Sequence, residues 1–203
     1  MAYNQEIHRR RSIRLKGYDY SWAGAYCITL CTHGRECLFG EIANQEMQVN
    51  EAGRIVVDEW LKTPIIRAEI ELDEWVVMPN HLHGIIVITD AGTTNRHGVK
   101  KRNTGNYRRA DNRPVGRFTG RPPVSPTGPK PKSVGAVMAG FKSSVTSRVN
   151  AYRQSPGLKI WQRNYWEHII RHETELQTLR QYIITNPASW QQDSLYSEQK
   201  KTL

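Results

Sequence analysis

The sequence predicts an α+β fold, an antiparallel sheet with helices packed on one face, interrupted by a long basic insertion. Three observations lead there. Short β-branched and aromatic runs are separated by turn residues, as strands require. Three other stretches carry apolar residues at helical spacing. And 203 residues make one sizeable core, with one segment, Ala91–Lys132, left almost empty of aliphatic residues.

The elements follow in order. The first twenty residues are basic, with His8, Arg9, Arg10, Arg11, Arg14 and Lys16 close together. AYCITLCT (25–32) reads as a strand, rich in Ile, Thr and Tyr. LFGEI (38–42) follows, and GRIVVDEWLKT predicts a helix near 54–63 that stops before Pro64. IIRAEIELDEWVVM (65–78) is strand-like, with a turn or bulge at Asp73–Glu74. HLHGIIVI (81–88) is another strand, and Pro79–Asn80 between the two predicts a hairpin. A helix is predicted over 133–153, with Ser133 as its cap and Val134, Val137, Met138, Phe141, Val145 and Val149 as its core face. Pro156–Gly157 ends it. The stretch IWQRNYWEHIIRHETE reads either as a short strand or as a loop feeding a helix. Leu176, Leu179 and Ile183 mark a last helix from Glu173 to Asn186, closed by Pro187. Strands at 25–32, 66–78 and 81–88, with a fourth near 160–170, predict a ferredoxin-like sheet within a single domain spanning 1–203.

The net charge of +10 has one address. Segment 91–132 holds eleven basic residues against one acid, Asp111, so the remainder of the chain is formally neutral. It also holds six of the ten prolines and six of the fifteen glycines. Such a composition predicts a flexible, disordered insertion suited to gripping a polyanion, with Tyr107 and Phe118 available to stack on bases. A soluble basic linker is the plainer reading. No apolar run reaches the ~18 residues of a membrane span, and the N-terminal stretch has no apolar core of a secretory leader. Cys27 and Cys31, four apart on a strand, sit roughly 13 Å from each other and cannot bridge. These features predict an intracellular, cytoplasmic protein with no membrane partner.

His81 and His83 are two apart, so on a strand their imidazoles point to one face and can converge on a metal, while Leu82 points into the core. Two histidines on an otherwise apolar strand are costly unless paired or liganded. Gly84 would let a ligand or another backbone approach closely. The plainer reading is a half-exposed strand end. Two histidines are too few for a closed zinc site, and the cysteines lack ligand spacing. A third, harder ligand would suit Mg²⁺ or Mn²⁺. Asn186 can offer a carbonyl oxygen, and Tyr182, one turn away, a phenolate nucleophile. By spacing alone Tyr182 is more readily a packing residue. His168 and His172 fall at helical i, i+4 spacing, as ligands, phosphate contacts or surface residues.

VVMPNHLHGIIVI (76–88) resembles the HUH motif of the single-tyrosine, single-strand DNA transposases, with Leu82 as the hydrophobic residue between two histidines. RRRSIRLKGYDYSWAGAYCITLCT (9–32), LFGEI and WQRNYWEHIIRHETELQTLRQYIITNP (161–187) resemble the REP-associated tyrosine transposases within that family. The resemblance covers nearly all the chain except the basic insertion. It implies that His81, His83 and Asn186 hold Mg²⁺ or Mn²⁺ and that Tyr182 is the nucleophile, with Tyr165 its main rival. It implies a DNA nicking and joining enzyme acting on hairpin-bearing single strands through a 5′-phosphotyrosine link, as a monomer or homodimer. The residues expected to contact DNA are Arg9, Arg10, Arg11, Arg14, Arg108, Arg109, Lys142, Arg148, Trp161 and Tyr165, and Trp161, Tyr165 and Trp166 are expected to pack or to cradle the strand. Two other functions fit the same residues: a hairpin-binding protein without cleavage, and a metal-dependent phosphodiesterase that uses water.

Overall fold

The computed structural model describes Leu15, residues 17–89 and residues 128–197. Arg9, Arg10, Arg11, Arg14, Tyr107, Arg108, Arg109 and Phe118, with all but the last five residues of the predicted insertion, lie outside them.

Strand β1 (Gly24–Cys31) leads into a small hairpin, β2 (Gly40–Ala43) and β3 (Glu46–Val49). Helix α1 (Glu51–Ile66), strand β4 (Ile70–Met78), strand β5 (His81–Ile88) and helix α2 (Val134–Tyr152) follow, then β6 (Trp166–Ile170) and α3 (Glu173–Thr185). The main sheet runs β4-β5-β1-β6, antiparallel throughout. With α1 and α2 as crossovers this is the predicted ferredoxin-like order.

Local chemistry explains the boundaries. Asn50 caps α1 by accepting the Gly53 amide at 3.0 Å, so the helix starts earlier than its apolar run. It also runs past Pro64 to Ile66. A proline in the last turn deletes a single backbone bond, and the Arg67 amide still reaches the Thr63 carbonyl at 3.0 Å. Ser133 caps α2 through the Ala136 amide at 3.2 Å, as expected. The fourth strand is only Trp166–Ile170, because residues before it are tied to the sheet by one bridge, Thr32 to Trp161. The β2–β3 turn, Asn44–Gln45, has both residues at positive φ, the primed turn that suits a two-residue hairpin.

Alternation gives each face of the sheet a separate task. Tyr26, Ile28 and Leu30 of β1, with Leu82 and Ile86 of β5, join α1 and α2 in the main core. The residues between them, Cys27 of β1 and Ile85 of β5, meet Ile183, Leu176 and Leu179 of α3 in a smaller cluster. So α1 and α2 cover one face, and α3 lies on the other, the face to which His81 and His83 also point. Between Leu72 and Trp75 the β4–β5 register shifts, the bulge expected at Asp73–Glu74. It turns Asp73 towards α3, where its carboxylate takes Arg180 Nε at 2.7 Å and Nη2 at 2.5 Å. The bulge thereby anchors α3 two residues before Tyr182.

Gly84 has a different purpose from the one its sequence position suggested. A Cβ there would lie 2.4 Å from Cζ2 of Trp60, which is fully buried. The missing side chain makes room for an indole on the α1 face, not for a ligand. Gly84→Ala should therefore destabilise the protein by about 3 kcal/mol, the upper range of core overpacking, in urea or thermal melts. Near-neutral stability would mean that Trp60 can move aside.

Candidate active site

Strand β5 delivers His81 and His83 side by side, their ring centroids 4.5 Å apart, both buried. Each imidazole is oriented by a hydrogen bond at Nδ1. For His81 the partner is Asn80 Oδ1 at 2.8 Å. The Asn80 amide nitrogen faces the Leu195 carbonyl at 2.8 Å and the Ser197 hydroxyl at 3.2 Å, which fixes its oxygen towards His81. An oxygen can only accept, so His81 Nδ1 carries the proton and Nε2 presents its lone pair. His83 Nδ1 meets the Thr29 hydroxyl at 2.8 Å across the β1–β5 ladder. Such partners on the remote ring nitrogen are how proteins aim histidine ligands.

The segment after α3 folds back over this pair. Asp193 places Oδ2 3.8 Å from His81 Nε2, with its side chain almost wholly buried. One ligand atom from each of His81, His83 and Asp193 falls within 4.8 Å of the others. The indole of Trp190 lies against His81, centroids 5.9 Å apart. His81 Nε2, Asp193 Oδ2 and the nearby Asn186 Oδ1 are buried without a hydrogen-bond partner. Orphaned buried polar atoms are expensive, and a shared cation satisfies them together. Two imidazole nitrogens and a carboxylate are an apt donor set for a divalent metal.

Burial also keeps the histidines neutral, as ligands must be. It pulls His83 down from 6.5 to about 4, and Asp193 nearby offsets only part of this. Burial, with the charge of His83 second, pulls His81 from 6.5 to about 2. An unfolded chain takes up these protons near pH 6.5, whereas the folded protein resists until lower pH. The metal-free protein should therefore lose stability as pH falls from 6.5 towards 4. Thermal melts across that window measure it, and replacing His83 by Gln should about halve the slope, since His81 still contributes.

Tyr182 stands on α3 with its hydroxyl 3.3 Å from His83 Nε2 and its ring 5.3 Å from the imidazole. The Thr29 hydroxyl can donate or accept at Nδ1, so the direction of the bond between His83 Nε2 and the phenol follows the tautomer of His83. The residue as a whole is 45% exposed. Burial, and then the charge of Asp193, push the phenol above its ordinary value, while a hydrogen bond from Asn186 pulls it back. Asn186 itself is buried directly after α3.

Tyr182, His81, His83 and Asn186 thus converge, whereas other predicted contacts take different roles. Trp161 is in the main core, its ring 5.2 Å from Phe39 and 6.0 Å from Phe141. Tyr165 is partly buried against that core. The Lys142 ammonium donates to the carbonyls of Gln162 at 2.6 Å and Arg163 at 3.1 Å. Arg148 pairs with Glu59 at 2.7 Å and Asp58 at 3.2 Å, joining α2 to α1. Lys142, Arg148 and Trp161 each have a partner within the fold, and Trp161 packs, one of the two roles expected of it. His168 lies in β6 and His172 before α3, so they share no helix. The sequence reading missed Asp193, Asn80 and Thr29. Asn80 was visible beside the HxH pair, but Asp193 lies 110 residues beyond His83 with no spacing signal.

A protein of Haemophilus influenzae (strain Rd), described only as uncharacterised, is 41% identical over 194 residues, 96% of this chain and 97% of its own length. The chain belongs to that protein's family. No protein-family model matches the chain. Of solved structures, one described as a REP-associated tyrosine transposase bound to a REP hairpin has a TM-score of 0.49 at 18% identity, covering 87% of this chain and 74% of its own. Another, from Deinococcus radiodurans R1 and provisionally described as a transposase, has a TM-score of 0.42 at 15% identity, covering 84% and 95%. Among the described residues no helix is long and apolar enough to cross a membrane.

Proposed function

We propose that this protein is a metal-dependent, single-strand DNA nicking and joining enzyme of the REP-associated tyrosine transposase type. The observation that carries the reading is the Tyr182 hydroxyl 3.3 Å from His83 Nε2, beside three buried and unpartnered ligand atoms. A nucleophile alone or a histidine pair alone would be unremarkable. Their meeting across 99 residues of sequence, on the sheet face away from the main core, is what a phosphoryl-transfer site needs.

His81, His83 and Asp193 would hold Mg²⁺ or Mn²⁺, with Asn186 as a further oxygen donor. When bound, the cation supplies Lewis-acid polarisation of the scissile phosphate and counters the charge that forms there. The chain's own residues do the rest. Asn80 holds His81 in one tautomer, and Thr29 orients the His83 ring. Arg180, clamped to Asp73, keeps α3 and hence Tyr182 over the sheet. The Tyr182 oxygen bonds to phosphorus as the bond from phosphorus to the 3′ oxygen breaks. The phenol proton leaves, and the departing oxygen gains one to become a free 3′-OH. The 5′-phosphotyrosine retains the phosphodiester energy, so attack by another 3′-OH joins strands without a nucleotide cofactor. Arg9, Arg10, Arg11, Arg14, Arg108 and Arg109 would add phosphate contacts in this reading, with the protein acting as monomer or homodimer.

The test is a covalent-adduct assay. Protein with Mn²⁺ and an oligonucleotide carrying a hairpin and a single-stranded flank should give an SDS-resistant complex that EDTA prevents. Binding without adduct across a broad panel of palindromes would leave a hairpin-binding protein instead. Cleavage without adduct would leave a phosphodiesterase that uses water.

A further inference from the structure

Trp166 is a large aromatic side chain that the core does not explain. It is 43% exposed and belongs to neither buried cluster, although Trp161 and Tyr165, just before it, pack against the main core. Its ring lies parallel to that of His168, 7° between planes with centroids 5.7 Å apart. His168 is in turn fixed, Nε2 meeting Glu175 Oε1 at 2.6 Å. The second oxygen of Glu175 accepts the Arg171 amide at 2.8 Å, at the start of α3. An exposed indole is thus backed by an imidazole that a carboxylate holds in place.

Register puts this platform beside the candidate active site. Trp166 pairs with Thr29 on β1, and Thr29 bonds His83 Nδ1. Two strand spacings separate the Cα atoms of Trp166 and His83, about 10 Å. Strand alternation sends Trp166, His168 and Ile170 to one face, and Ile170 packs in the α3 cluster. The platform and Tyr182 therefore share the face that carries the chemistry. β6 is the outermost strand of the sheet, so a chain crossing from His83 can leave over Trp166 without obstruction from a further strand.

We infer that Trp166, backed by His168 and Glu175, is a nucleobase-stacking subsite that takes the base of one unpaired nucleotide next to the scissile phosphate. The inference rests on the single-strand DNA reading above. Every base has an apolar π-face, so a rigid indole binds it with little sequence preference and no backbone contact. Trp166 binds, and His168 and Glu175 are positioning residues that limit the indole's freedom before the strand arrives.

The experiment uses the full chain with Tyr182→Phe, so that bound strands are not cut. Fluorescence anisotropy reads the affinity for a labelled hairpin with a single-stranded flank, intact or with one abasic site at successive flank positions. At one position, loss of the base should weaken binding roughly tenfold or more. Adding Trp166→Ala should weaken binding of the intact strand by a similar factor and remove the sensitivity at that position alone. Trp166→Phe should retain most of both. Equal affinity with Trp166→Ala, or a loss that leaves the abasic profile unchanged, overturns the subsite while the adduct formed by the unmodified protein keeps the strand-transfer reading standing. A protein that neither binds a single strand nor forms an adduct overturns both.

Discussion

In the proposed mechanism, Tyr182→Phe should leave a folded protein that still takes up Mn²⁺ but forms almost no covalent complex with DNA. The substitution removes one oxygen from a half-exposed side chain whose ring lies against His83 and whose hydroxyl meets His83 and Asn186. The ring stays against His83, no cavity opens, and stability should change by less than about 1 kcal/mol. Adduct yield, by contrast, should fall by roughly 10³- to 10⁶-fold, the range for deleting a nucleophile. Denaturing gels with labelled oligonucleotide and Mn²⁺ measure the yield, and thermal melts confirm the fold. Undiminished adduct would move the nucleophile to another tyrosine, Tyr165 first.

Asp193→Asn separates the two candidates for the third ligand. It should weaken Mn²⁺ binding by about 100-fold or more in calorimetry, since it removes the only anion of the cluster. The metal-free protein should melt no lower than before. Its Oδ2 is buried without a partner, and a neutral oxygen or nitrogen there costs less than a lone charge. The remaining contact, in which Asp193 Oδ1 accepts the Leu195 amide at 2.7 Å, survives in asparagine. The stabilisation normally gained on adding metal, about 2.7 kcal/mol at a hundredfold excess over Kd, should shrink accordingly. If Asn186→Ala weakens metal binding more than Asp193→Asn does, the third ligand is Asn186, as the sequence resemblance implied.

The two outcomes also mark how far the sequence could be read. Strand periodicity put His81 and His83 on one face and Leu82 on the other, and both are found so, because period-two alternation is local and strict. The bulge at Asp73–Glu74 was visible as two acids interrupting an apolar run. The cap at Ser133 followed from one side chain and its position. What could not be read depends on distant partners. Nothing near Asp193 marks it as a ligand; only the return of the chain after α3 brings it to His81. Gly84 looked like room for a ligand because the indole filling that room comes from Trp60, 24 residues earlier on another element. The partners of Lys142 and Arg148 within the fold could not be read either, because those carbonyls and carboxylates lie on separate segments. Spacing reveals which side chains travel together, and tertiary contact decides what they meet.

If His81, His83 and Asp193 hold a cation as proposed, the alternation along β5 would make metal binding a readout of correct folding. If β5 slipped by one residue against β1 and β4, His81 and His83 would turn towards Trp60 and Leu82 would turn towards Asp193. No intermediate register keeps one histidine in place and loses the other. A chain misfolded in this way could not assemble the ion site at all, so the cation would select properly zipped molecules from the population and act as a proofreader of the strand it occupies.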